Sequence, residues 1–211
     1  EKEKIDSILS DARTAFAYIA DEDLVKCEYV IVTADDINKQ NIVVKLTDLL
    51  NHKTGNPDVN VIIACNDQDT KIPDKFEVPK FIKNLIIVGE NITSIGHSFL
   101  YRCRGLTSLQ LPNSITTIGN VFLYGCAGLT SLQLPEMLTS VGNYFLSGCT
   151  GLKSLQLPMT LTSVGDYFLA DCTGLTSLEL PNSLTTVGGD FLFRCTGLTS
   201  LELPKTLTAV G

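Results

Sequence analysis

The chain contains no tryptophan, two methionines and two histidines among its 211 residues. Histidine is the commonest general base and a frequent metal ligand, and here His52 and His97 lie in different parts of the sequence, so a catalytic set around them is not expected. Neither G-x-S-x-G, H-E-x-x-H nor a phosphate-binding loop occurs. No apolar run approaches the roughly 20 residues of a membrane helix, so direct membrane insertion of this segment is not expected. The sequence opens on the charged Glu1-Lys2-Glu3-Lys4, and no signal peptide is visible. Positive charge is also scarce. The net charge is −7; residues 1–80 carry 16 acidic and 10 basic residues, and residues 81–211 carry 7 and 6. Neither part offers the basic surface that a phosphate backbone requires, so nucleic acid is not an expected partner.

What is abundant is periodicity. Cys103, Cys126, Cys149, Cys172 and Cys195 recur every 23 residues, as do Leu106 through Leu198 and Pro112 through Pro204. The unit reads G-L-x-S-L-x-L-P-x-x-[IL]-T-x-[IV]-G-x-x-F-L-x-x-C-x. In each unit the L-x-x-L-x-L spacing describes a short strand, with Leu109 and Leu111 on one face and Ser108 and Gln110 on the other. Pro112 ends the strand because it has no N–H for the next ladder bond. Ile115 and Ile118 supply a second apolar pair, and Gly119 permits either a corner at positive φ or a close backbone approach. Phe122, Leu123 and Cys126 return the chain to the core. One unit cannot bury its own apolar face, but stacked units share a continuous core, with strands about 4.8 Å apart.

These features predict a leucine-rich-repeat solenoid: β-rich, with short parallel strands stacked in a curved array, behind an α/β N-terminal cap. Residues 82–96 align with 105–119, so the array is expected to occupy 82–211, and residues 61–65 look like one more strand in phase. The chain stops in mid-unit, from which the natural protein is expected to continue past Gly211. Residues 1–81 form the expected cap: an amphipathic helix over 3–20, a strand over 28–33 and a shorter helix over 47–53.

The unit resembles the BspA-type leucine-rich repeats, also called the Treponema pallidum type, over residues 82–211. One departure is that Phe122-Leu123 stands before Cys126 where the family usually has Ala-Phe, so that corner is expected to pack differently. The resemblance implies a location at the cell surface or outside the cell, and adhesion to host proteins, cells or neighbouring microbes. It brings no shared catalytic residues.

The in-phase cysteines lack the paired C-x-x-C spacing of zinc sites, so no metal is expected; a position repeated in every turn reads as a buried ladder of reduced thiols. Cys27 and Cys65 read as core residues. Asp166, Asp171 and Asp190 fall at variable positions and read as solvated charges. No cofactor and no enzymatic activity are expected. Two surfaces are rival ligand-binding candidates. One is the strand face: Thr107, Ser108, Gln110, Thr130, Ser131, Gln133, Lys153, Ser154, Gln156, Thr176, Glu179 and Glu202. The other comprises variable loop positions, with the aromatic and arginine side chains enriched at interaction hot spots: Tyr101, Arg102, Tyr124, Tyr144, Tyr167, Phe193 and Arg194. The expected function is a non-catalytic, surface-displayed binding or adhesion module for a protein or glycan ligand, such as host extracellular matrix or a cell surface. The alternative is a structural spacer or scaffold that positions other domains.

Overall fold

A computed structural model describes residues 29–33, 60–65, 70–76, 78, 80 and 82–210. The helices expected over 3–20 and 47–53, and Cys27, lie outside these residues. The described chain holds thirteen short strands and no helix: β1 (Tyr29–Thr33), β2 (Asn60–Ala64), β3 (Lys71–Ile72), β4 (Asn84–Val88), β5 (Ser94–Ile95), β6 (Ser108–Gln110), β7 (Thr117–Ile118), β8 (Ser140–Val141), β9 (Ser154–Gln156), β10 (Ser163–Val164), β11 (Ser177–Glu179), β12 (Thr186–Val187) and β13 (Ala209–Val210). Every pairing is parallel, and equivalent residues of successive turns face each other, as with Ser154 and Ser177 or Ile118 and Val141. The fold is a leucine-rich-repeat solenoid.

One side of the coil carries the sheet β1-β2-β4-β6 and, further along, the pair β9-β11. Strands occur where the sequence places them at 28–33 and 61–65, and the pairing of β2 with β4 runs from Asn60–Asn84 to Ala64–Val88. A second sheet, in the order β3-β5-β7-β8-β10-β12-β13, lies on another side. It grows from the second apolar pair of the unit: Ile115 and Ile118 are buried around the outward Thr116 and Thr117. In the column of Thr116 each threonine hydroxyl donates to the carbonyl of the threonine one turn earlier, from Thr93 to Thr70 through Thr208 to Thr185, at 3.0–3.2 Å.

The third side is formed by the stretch between glycine and cysteine. Its second, fourth and sixth residues after the glycine have left-handed backbone: Val121 (φ 62), Leu123 (φ 51) and Gly125 (φ 71) in one turn, Tyr144, Leu146 and Gly148 in the next. A left-handed conformation costs a non-glycine residue roughly 1–2 kcal/mol. Inter-turn hydrogen bonds offset it: Val121 N–H donates to Asn143 at 2.7 Å, Leu123 N–H back to Phe99 at 2.9 Å, and Gly125 N–H forward to Ser147 at 2.8 Å. Of the two roles open to Gly119, close approach is the one realised. Its φ is not positive, and a Cβ there would lie 2.9 Å from the Gly96 backbone.

The core is one column per repeat position. Phe76, Phe99, Phe122, Phe145, Phe168 and Phe191 stack ring on ring at 5.2–5.6 Å. Phe122 and Leu123 are both fully buried, which is how the Phe-Leu corner packs. The cysteines form the expected buried thiol column: Cys126, Cys149 and Cys172 each donate to a carbonyl of the preceding turn (Leu100, Leu123, Leu146) at 3.2 Å. Burial pushes the thiols of Cys126 and Cys172 up to about 12, so they stay protonated donors. Cys195 and Cys65 are half-buried against this core.

Candidate binding site

The strand face is orderly and open. Thr107, Ser108, Thr130, Ser131, Gln133, Lys153, Ser154, Gln156, Thr176, Glu179 and Glu202 are exposed, and Gln110 is half-buried. Ser177 pairs with Ser154 and Glu179 with Gln156, so like side chains repeat along the coil. Toward the N-terminus the polar ladder gives way to an apolar residue. Ile86 pairs with Gln110 yet is buried.

The first position after each invariant glycine varies for a structural reason. His97, Asn120, Asn143 and Asp166, and Asp74 after Pro73 in the turn before them, each accept, through a side-chain atom, the backbone N–H of the equivalent residue one turn on, at 2.8–3.1 Å. Asp, His and Asn each supply an acceptor there, whereas Gly189 ends the ladder as a donor only. Asp166 also accepts from Asn143 Nδ2 at 3.1 Å, which ties it into this ladder.

The second and fifth positions behave differently. Tyr101 and Tyr124 occupy the fifth place of their turns and stack at 5.4 Å. In the next two turns the fifth place shrinks to the buried Ser147 and Ala170, and the tyrosine moves to the second place, as Tyr144 and Tyr167. Tyr144 meets Tyr124 edge-on at 6.2 Å and stacks on Tyr167 at 4.7 Å with ring planes 2° apart. Four tyrosines, scattered at two repeat positions, thereby form one unbroken stripe across four turns. Tyr144 is 37% exposed and the other three are half-buried. At one end the Arg102 guanidinium lies 5.0 Å from the Tyr101 ring centre and 6.0 Å from that of Tyr124. At the other, the Asp190 carboxylate accepts from the Tyr167 phenol and holds it above its ordinary value. Phe193 and Arg194 sit beyond the stripe and pair with each other at 4.9 Å. Among the described residues no group of histidine, cysteine and carboxylate side chains is arranged to hold a metal ion.

Residues 93–211 match the model of the BspA type leucine rich repeat region, in six copies. The chain belongs to this family. BspA-type arrays are protein-interaction or scaffold repeats, typically non-catalytic, and the family is commonly surface-associated or secreted. No curated protein matches the chain. Among solved structures, the leucine-rich repeat protein TpLRR of T. pallidum shares the fold with a TM-score of 0.63 and 18% identity, over 87% of this chain and 78% of that one. A leucine-rich repeat protein from Bacteroides ovatus is similar with a TM-score of 0.50 and 21% identity, over 72% of this chain and 54% of its own.

Sequence reasoning placed both tyrosine pairs among variable loop residues but not in contact with one another. It read Asp171 as a solvated charge and did not connect it with Arg102, Gly125 and Gly148. The available signal was that Arg102, Gly125, Gly148 and Asp171 share one repeat position, immediately before the cysteine.

Proposed function

We propose that this BspA-type array is a surface-displayed, non-catalytic binding or adhesion module that recognises a protein or glycan ligand, with the tyrosine stripe as the working part of its repeat face. The observation that carries the reading is the merging of Tyr101, Tyr124, Tyr144 and Tyr167 into one partly exposed stripe. Tyrosine brings large contact area with little rotamer entropy to lose, and these rings are already ordered against each other on a hydrogen-bonded backbone. The strand face supports the reading less, because its Ser and Gln ladders are nearly the same in each turn and offer little with which to tell one ligand from another.

Binding of the purified chain to immobilised extracellular-matrix proteins and to intact epithelial cells, at physiological salt, tests the proposal. Saturable binding is expected, to be lost when Tyr101, Tyr124 and Tyr144 are changed to Ser and kept when Gln110, Gln133 and Gln156 are changed to Lys. The opposite pattern moves the site to the strand face. No binding by the unaltered chain favours the spacer or scaffold reading.

A further inference from the structure

The surface beside the tyrosine stripe has a charge pattern that the fold does not require. Taken from each invariant glycine to the residue after the cysteine, the turn 96–104 contains Arg102 and Arg104 and no acid. The turns 119–127 and 142–150 contain no charged residue, and the turn 165–173 contains Asp166 and Asp171 and no base. One column therefore runs Arg102, Gly125, Gly148, Asp171 and Arg194: a cation, two turns of bare backbone, an anion and, one turn further, a second cation.

The left-handed backbone at Gly125 (φ 71) and Gly148 (φ 75) favours glycine, but it does not exclude a side chain. Arg102 and Asp171 hold the same column at φ 55 and 58, so side chains are accepted there. A Cβ on Gly148 would come no nearer than 3.4 Å to Gly125 Cα, and one on Gly125 no nearer than 3.3 Å to Arg102 Cγ. By contrast, a Cβ on Gly142 would lie 2.2 Å from Asn120 Oδ1. The gap is thus a surface feature with a charged wall at each end, the tyrosine stripe along its side, and a glycine floor.

We infer that this gap binds an extended peptide segment carrying an acidic side chain and a basic side chain four residues apart, the acid at Arg102 and the base at Asp171. The inference rests on the binding reading above and adds the class of ligand. Turns of a parallel coil are about 4.8 Å apart, so the three steps from Arg102 to Asp171 span roughly 14 Å. An extended chain rises about 3.4 Å per residue, so residues i and i+4 are separated by the same roughly 14 Å and project from the same face. Residue i+2 projects with them, over the glycine floor and against Tyr124 and Tyr144, where an apolar side chain fits. Charge complementarity at both ends selects a zwitterionic peptide over a uniformly charged one.

Fluorescein-labelled peptides with the core Glu-Thr-Val-Thr-Lys, and controls with Glu or Lys at both ends, test this by fluorescence polarisation on the full chain. The mixed peptide is expected to bind roughly tenfold more tightly than either control, the scale of two surface ion pairs. Asp171→Arg should transfer that preference to the doubly acidic peptide, and Arg102→Glu to the doubly basic one. Both sites are at least partly exposed, and circular dichroism checks that folding is unchanged. Gly148→Asn, which places a side chain in the gap at a residue type that accepts left-handed φ, should weaken the mixed peptide by tenfold or more. Equal binding of the three peptides, an unmoved preference in Asp171→Arg, or unchanged binding in Gly148→Asn would each overturn the inference. So would a neutral linear oligosaccharide that saturates this face while the peptides do not. If the peptides fail but the chain still binds matrix proteins or cells, the peptide site falls and the adhesion module stands.

Discussion

Replacing Phe145 by alanine removes a ring that is fully buried and stacked on both sides, at 5.2 Å to Phe122 and 5.5 Å to Phe168. Truncation of a buried phenylalanine costs about 3–5 kcal/mol, and within that each stacked neighbour accounts for roughly 0.5–1.5 kcal/mol. Phe191 occupies the equivalent position two turns on but is half-buried and stacks on Phe168 alone, at 5.5 Å. With about half of the burial and one ring contact instead of two, Phe191→Ala should cost about 2 kcal/mol, leaving a difference of roughly 2 kcal/mol between the variants. Each turn is held mainly by its neighbours, so loss of an interior ring also weakens the coupling between the two parts of the coil, and the unfolding transition should broaden in Phe145→Ala. Urea unfolding followed by far-ultraviolet circular dichroism and tyrosine fluorescence measures both effects. An equal or larger cost for Phe191→Ala would refute the nearest-neighbour account of the core.

The cysteine column predicts a one-sided pH dependence. Burial raises the thiols of Cys126 and Cys172 from 9.0 to about 12, so the folded state retains protons that the unfolded chain gives up. Their contribution is fully present below about pH 9 and is lost as pH rises toward about 12, at roughly 1.4 kcal/mol per pH unit for each thiol. Denaturant midpoints at pH 8 and pH 10.5 should differ more in the native chain than in Cys126→Ala or Cys172→Ala. Thiol labelling should reach the half-buried Cys195 well before the buried Cys126, Cys149 and Cys172, as mass spectrometry of partially labelled protein would report. Gly142→Ala should destabilise by several kcal/mol, because its Cβ would meet Asn120 Oδ1 at 2.2 Å and Asn120 N at 2.7 Å. Gly148→Ala, with φ +75 and a nearest contact of 3.4 Å, should cost only about 1–2 kcal/mol. Thermal unfolding of the two variants compares them directly.

The sequence alone determined the coil. A 23-residue period with Leu, Ile, Phe and Cys in fixed columns has one economical solution, in which each turn buries its apolar face on the next, and the buried columns follow the repeat. Residues that differ between turns were legible only as variable. Whether Tyr124 touches Tyr144 depends on side-chain directions at left-handed positions, where neither the two-residue period of a strand nor the 3.6-residue period of a helix applies. The strand pattern has the same limit. Ser131-Leu132-Gln133 has the same three residues as β6 and β9 and keeps Leu132 buried, yet it stands outside the paired strands. The tertiary structure likewise decided that Gly119 serves close approach while Leu123 takes the left-handed turn. These outcomes depend on hydrogen bonds and contacts between residues a full turn apart, which local propensity does not encode.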